Sequence, residues 1–276
     1  MLFDTHAHLN FSAYKDDLDE VVKKTQKENV WVINVGSNYD NSKLAIDIAR
    51  KYEQGVYAAI GLHPIHLAGD FFKIKKDTNE QEGDETNKDS LDIDKYKKLA
   101  LSDSQRVVAI GEIGLDYYYR PKTKTKLELF KARQKEFFIK QLNLAKELKL
   151  PVIFHCRMAH QDLIAILEKN KDVRGVIHCF TGTLEDAKKY VDMGFYIGLN
   201  GIIFKLNLDE IIKQIPLESI LLETDCPYLT PPQEGNERNE PIFVKYVARR
   251  IAELKSLDYE KVAEITAQNA RELFRI

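Results

Sequence analysis

Only three of the 276 residues are cysteine. A sparse, odd count argues against a secreted disulfide framework and for a reducing compartment. No run approaches the ~20 consecutive apolar residues that cross a bilayer, and Met1–His8 carries neither a basic leader nor a long apolar stretch. Excess charge is missing too: 41 Lys and Arg face 43 Asp and Glu, a formal net charge of −2. That excludes a cationic arm coating nucleic acid by bulk charge. With 44% hydrophobic residues the chain is no disordered polyelectrolyte either. Neither an internal repeat nor a dividing linker is present. The expectation is one cytoplasmic domain over residues 1–276, with no membrane contact and no obligate protein partner, working as a monomer and large enough to bury its core without staples.

Short apolar runs rich in Val, Ile and Phe alternate with helical patterns from end to end. The runs are Leu2–Ala7, Val30–Val35, Val56–Leu62, Val107–Ile113, Val152–Phe154, Gly175–His178, Phe195–Leu199 and Ile220–Leu222. Being continuous rather than alternating, they read as parallel strands buried on both faces. Leu18–Asn29, Ser42–Tyr52, Leu127–Leu148, Gln161–Lys169 and Leu184–Met193 have apolar residues at helical spacing and charges on the other face. Pro151, just after Lys149, marks a helix-to-strand boundary. Eight such units predict an α/β fold, a single (β/α)8 TIM barrel, with an open doubly wound sheet as the competing architecture. The polar, acidic stretch Lys73–Asp92 reads as a charged insertion after the third strand.

Polar residues at the strand ends favour the barrel. His6, His8, His63, Glu112, His155, His178 and Asp225 stand at the C-terminal ends of six of the eight runs, where a buried, unpaired imidazole or carboxylate is costly. In barrels that face gathers catalytic groups from different strands. His6 and His8, two apart on a strand, share a face and can share a metal. His155, His178 and Asp225 extend the same ligand chemistry to three more strands. Glu112, between Gly111 and Gly114, offers a carboxylate able to bridge two cations. Arg157 and Arg238 suit phosphate oxygens by their forked donors, and His63 either polarises a phosphate or satisfies backbone. Cys156, Cys179 and Cys226 each follow a ligand candidate, so alternation turns all three thiols away from the axis, as small hydrophobes.

The segments Phe3-Asp4-Thr5-His6-Ala7-His8-Leu9, Gly111-Glu112-Ile113-Gly114-Leu115-Asp116-Tyr117, His155-Cys156-Arg157, His178-Cys179-Phe180-Thr181-Gly182, Leu222-Glu223-Thr224-Asp225-Cys226-Pro227-Tyr228-Leu229 and Arg238-Asn239-Glu240-Pro241 together resemble the TatD family of metal-dependent deoxyribonucleases, in order and over nearly the whole chain. The resemblance implies a (β/α)8 barrel of the amidohydrolase-like group with two divalent ions. His6, His8, Glu112 and Asp225 would hold one, and Glu112, His155 and His178 the other. It implies DNA as substrate, degraded from its 3′ end with a preference for single strands. His63, Asp116, Arg157 and Arg238 would contact it. The segment Lys73–Asp92 is longer than is usual in the family, and its acidic bias opposes a phosphate backbone.

The chemistry expected is in-line attack on phosphorus by a water activated between two cations, with Glu112 bridging them and Asp225 accepting the proton. Magnesium or manganese is favoured, with zinc, iron or cobalt as alternatives. The competing function is a metal-dependent hydrolase of carbonyl substrates: an amide, a lactone or a D-aminoacyl-tRNA ester. A non-catalytic binding barrel ranks last, because none of the six ligand candidates is missing. Arg120, Lys122, Lys124 and Lys126 form a basic rim after the Glu112 strand, but with a net charge of −2 and no dications to offset it, weak DNA binding without metal is expected.

Overall fold

The computed structural model describes residues 1–69, 71, 91–235 and 237–276. Its strands are β1 Leu2–Ala7, β2 Val30–Val35, β3 Val56–Ile60, β4 Val107–Asp116, β5 Val152–Arg157, β6 Gly175–Ile177, β7 Tyr196–Leu199 and β8 Ile220–Leu222. Each pairs in parallel with the next in chain order. The helices are α1 Leu18–Lys27, α2 Tyr39–Ala49, α3 Ile93–Leu101, α4 Lys124–Leu148, α5 His160–Leu167, α6 Leu184–Asp192, α7 Asp209–Gln214, α8 Val244–Lys255 and α9 Tyr259–Phe274. An open sheet would leave β1 and β8 on opposite edges. Here they meet, which makes the architecture the (β/α)8 barrel. Ala7 bridges Cys226, His8 N donates to Cys226 O and Asp225 N to His6 O, both at 2.8 Å, and the buried Asp4 carboxylate accepts from Thr224 N (2.8 Å) and Oγ1 (2.6 Å).

Two apolar layers stabilise the ring. Outward-facing strand residues pack under the helices. Inside, Phe3, Ile33, Ala59, Ala109, Ile153, Val176 and Leu221 fill the axis together with Ala267, Ala270, Leu273 and Phe274 of α9. The last helix thus plugs the N-terminal mouth and leaves the opposite mouth to polar groups.

Simple alternation would misplace the site on two strands. From Phe3 on the axis, a period of two puts Thr5 and Ala7 inside and His6 outside. The β1–β2 register slips between Asp4 and Ala7. Ala7 joins the outer core, and His6 and His8 turn inward. In β4 a second slip lies between Ile110 and Ile113. It brings Glu112 to the axis three residues after Ala109, while Ile113 and Leu115 face the helices. Such insertions re-aim side chains next to functional sites.

Strands β4 and β5 run three residues beyond their apolar stretches, pairing Gly114 with His155, Leu115 with Cys156 and Asp116 with Arg157. Backbone pairing needs no apolar side chain, so hydrophobicity stopped short of the true strand ends. Helix α4 secures this region with two fully buried amides spaced two turns apart. Gln134 pairs with both backbone groups of Asp116 (2.8 and 2.7 Å), and Gln141 with both of Leu62 (2.7 and 3.1 Å). The helix ends at Leu148 with Lys149 left-handed at φ 55°, the boundary expected before Pro151. The insertion Lys73–Asp92 lies outside the described residues except for Leu91 and Asp92, whose side chain caps α3 by accepting from Lys95 N. Among the described residues no helix is long and apolar enough to cross a membrane.

Candidate metal centre

Glu112 stands at the centre of the open mouth, 4% exposed, and its two oxygens face different partners. Oε1 lies 2.6 Å from His155 Nδ1, 3.7 Å from His63 Nε2 and 3.8 Å from His178 Nε2. Oε2 lies 3.4 Å from His6 Nε2. Across from it, Asp225 Oδ1 is 3.5 Å from His8 Nε2 and 3.8 Å from the Nε2 atoms of His6 and His178. The Nε2 atoms of His6 and His8 are 3.1 Å apart, and the rings of His6 and His178 stack at 3.5 Å. Six strands therefore deliver seven titratable groups to one spot. Asp225 itself occupies the left-handed region, at φ 58°, held by its amide bond to His6 O and by Tyr228 N donating to its carbonyl at 3.0 Å.

Backbone contacts fix ring orientation. His8 Nδ1 lies 2.9 Å from Val35 O and so carries a proton, which aims Nε2 at the cluster; burial opposes charge on this ring, but Asp225 and Glu112 outweigh it and raise its pKa. His63 does the reverse. Its Nδ1 accepts from Ile65 N at 3.1 Å as the cap of the turn Pro64–Leu67, so a neutral ring presents Nε2–H to the site. Burial and the neighbouring His155 push its pKa down to about 3 and keep it neutral. Burial also lowers His6, reinforced by His178. His155 and His178 go the other way. Burial opposes their charge, but the facing carboxylates override it, lifting His155 to about 9 (Glu112, Asp116) and His178 to about 10 (Glu223, Glu112, Asp225). Against the same burial, the surrounding imidazoles hold Glu112 well below the usual carboxylate range and keep Asp225 low.

The donor set suits divalent cations. His6, His8 and Glu112 form one group whose ligand atoms all lie within 4.8 Å of one another; His63, Glu112 and His155 form another, and His178, Cys179 and Asp225 a third. Imidazole nitrogens and carboxylate oxygens at this density are the ligands of borderline and hard divalent ions. A model of the "TatD related DNase" family matches residues 3–275. The chain belongs to the TatD-related DNase family. It is 40% identical to an uncharacterized metal-dependent hydrolase of Bacillus subtilis, YabD, with all of both chains covered. It is 32% identical to the 3′-5′ ssDNA/RNA exonuclease TatD of Salmonella typhimurium, over 100% of this chain and 99% of that one. Among solved structures, the TatD homologue YJJV from Escherichia coli superposes with a TM-score of 0.82 at 27% identity, covering 100% of this chain and 98% of the other. This TatD-family chain is a metal-dependent hydrolase.

The six residues expected to bind metal are brought together, with His63. Asp116, expected to touch substrate, puts Oδ2 3.2 Å from His155 Nε2, inside the cluster rather than at its rim. Arg157 is exposed, its guanidinium 3.6 Å above the Tyr118 ring. Arg238 commits its fork to Asp17 (3.0 and 2.6 Å) and to Ala13 O, over the Tyr14 ring. Arg120, Lys122, Lys124 and Lys126 are all exposed before and along the start of α4.

One expectation is corrected. The Cys179 thiol does not turn away: β6 ends at Ile177, so alternation no longer applies, and at φ 44° the residue brings its Sγ within 4.8 Å of ligand atoms of His178 and Asp225. Cys156 and Cys226 are buried as expected. Sequence reasoning also passed over Glu223. Fully buried, it accepts from Cys179 N (2.7 Å) and Asn200 Nδ2 (3.0 Å), and its Oε1 lies 3.0 Å from His178 Nδ1, at ion-pair distance but outside hydrogen-bonding angle. Gly198 makes room for it, since a Cβ there would overlap Glu223 Oε2. The signal was available, because Glu223 is an acid directly after the apolar run Ile220–Leu222.

Proposed function

We propose that this chain is a two-metal phosphodiesterase that removes nucleotides from the 3′ end of single-stranded DNA in the cytoplasm. One observation carries the reading: the two oxygens of Glu112 divide the imidazoles, His6 on one side and His63, His155 and His178 on the other. A carboxylate so placed suits two adjacent cations, one with His6, His8 and Asp225 and one with His155 and His178. The bound ions would supply Lewis acidity toward a phosphoryl oxygen and a lowered pKa for a water between them. Asp225 Oδ1 takes the imidazole contacts, which would leave Oδ2 to accept the proton of an attacking water as the P–O bond to the departing sugar oxygen breaks. His63 Nε2–H, neutral and fixed by its cap, donates to a phosphoryl oxygen. Arg157, carrying no ion pair among the described residues, neutralises growing phosphate charge. Asp116 orients His155, and Arg238 acts one step back, bracing the 13–17 segment through Asp17.

End-labelled single- and double-stranded DNA, incubated with metal-depleted protein resupplied with Mg2+, Mn2+, Zn2+, Fe2+ or Co2+, tests this. The expected result is a ladder shortening from the 3′ end of the single strand, lost in Glu112→Gln and His155→Ala. Full cleavage by those variants overturns the assignment. Amino acid released from charged tRNA faster than nucleotide from DNA would put the carbonyl reading first.

A further inference from the structure

The turn Gly201–Phe204 after β7 and the segment after Asp225 enclose a groove of about 570 Å3, lined by Phe204, Lys205, Tyr228, Leu229, Pro232 and Glu237 among others. This falls within the roughly 300–1,000 Å3 typical of small-molecule sites. Its walls are locked to each other: Gly201 approaches Leu229 so closely that a Cβ would overlap the Leu229 carbonyl oxygen. The groove also adjoins the metal centre. The His8 ring stacks on Phe11 at 4.4 Å, and Phe11 meets Tyr228 edge-on at 6.3 Å. Tyr228 N is bonded to Asp225 O.

The lining shows which part of a substrate fits. Lys205 is its one cation and Glu237 its one acid among the described residues, so the groove has no net charge with which to hold a phosphate. Two partly exposed aromatic rings beside proline and leucine favour a flat, neutral, polarisable group, and every nucleobase offers such a face. We propose that this groove is a stacking subsite for the base of the nucleotide adjoining the scissile phosphate, with Phe204 and Tyr228 as its platform. The inference rests on the phosphodiesterase reading for its substrate. It adds what that reading lacks, a reason for single strands: a base can enter the groove only when it is unpaired.

Oligonucleotides carrying an abasic residue at the 3′-terminal or the penultimate position test the subsite, by cleavage and by fluorescence-anisotropy binding. In the wild type, removing the base at one of these positions is expected to weaken KM and binding by about 5- to 100-fold, the scale of base–aromatic stacking. Phe204→Ala and Tyr228→Ala should bring that ratio to about 1, whereas Tyr228→Phe, which keeps the ring, should preserve it. A wild type indifferent to the base at both positions, or alanine variants that keep full discrimination, overturns the subsite. Cleavage without discrimination refutes the groove and leaves the nuclease standing. No cleavage with any metal refutes the nuclease, and the anisotropy ratio then decides the groove alone.

Discussion

The sharpest consequence of the cluster concerns protons. At pH 7 His155 and His178, lifted to about 9 and about 10 by the carboxylates around them, are protonated, and a protonated imidazole cannot bind a metal. At 1.36 kcal/mol per pH unit, stripping the two costs about 3 and about 4 kcal/mol at neutral pH. Cations entering beside Glu112 must therefore displace about two protons, and apparent affinity should rise about 100-fold per pH unit between about pH 6.5 and 8.5. Calorimetric titration of Mn2+ at pH 7.5 in buffers of different ionisation enthalpy counts the protons, and His155→Gln should reduce the count by one. The metal-free protein should show the opposite pH trend. Both folded-state values exceed the ordinary histidine value, so their stabilisation is complete below about pH 6.5 and fades as pH rises through about 9 to 10. Its Tm should fall over that range while the Tm gained on adding metal grows. A metal affinity independent of pH, with no protons released, would refute the charge arrangement.

Gly198→Ala should push Glu223 from its place behind His178. Metal affinity measured by dye competition should drop about 10- to 100-fold, as for other lost carboxylate partners of ligating histidines; an unchanged affinity would reduce Glu223 to packing. Arg238→Lys should lower stability by about 1 kcal/mol in chemical denaturation through loss of the forked pair with Asp17, leaving KM for DNA in place; a tenfold rise in KM would return Arg238 to the substrate. Gln134→Ala should cost about 2 kcal/mol by stranding two buried backbone groups of Asp116, read from the denaturation midpoint. With a net charge of −2, metal-free protein should bind DNA weakly at physiological salt, and divalent ions should tighten it; a tight complex in excess EDTA would contradict this.

Much of the fold was legible because burial on both faces leaves a plain mark: eight apolar runs with amphipathic segments between them specify a parallel sheet under helices. The candidate ligand types were legible for the complementary reason, that His and Asp at the ends of buried strands have no packing rationale. Glu223 was legible and overlooked, an acid directly after the apolar run Ile220–Leu222. Beyond this, sequence period failed where backbone geometry departs from the ideal strand. The slips in β1 and β4 decide that His6, His8 and Glu112 face the axis, and a left-handed residue turns the Cys179 thiol back toward the site. Closure of the barrel, the Gln134 and Gln141 clamps, the capture of Arg238 by Asp17 and the groove between Phe204 and Tyr228 join residues far apart in the chain. Which imidazoles and carboxylates stand at the strand ends can be read along the chain, because residue type is local. Which of these groups meet, and that Arg238 commits its donors to Asp17 and Ala13, are matters of distance between segments far apart in the chain, and no local pattern carries them.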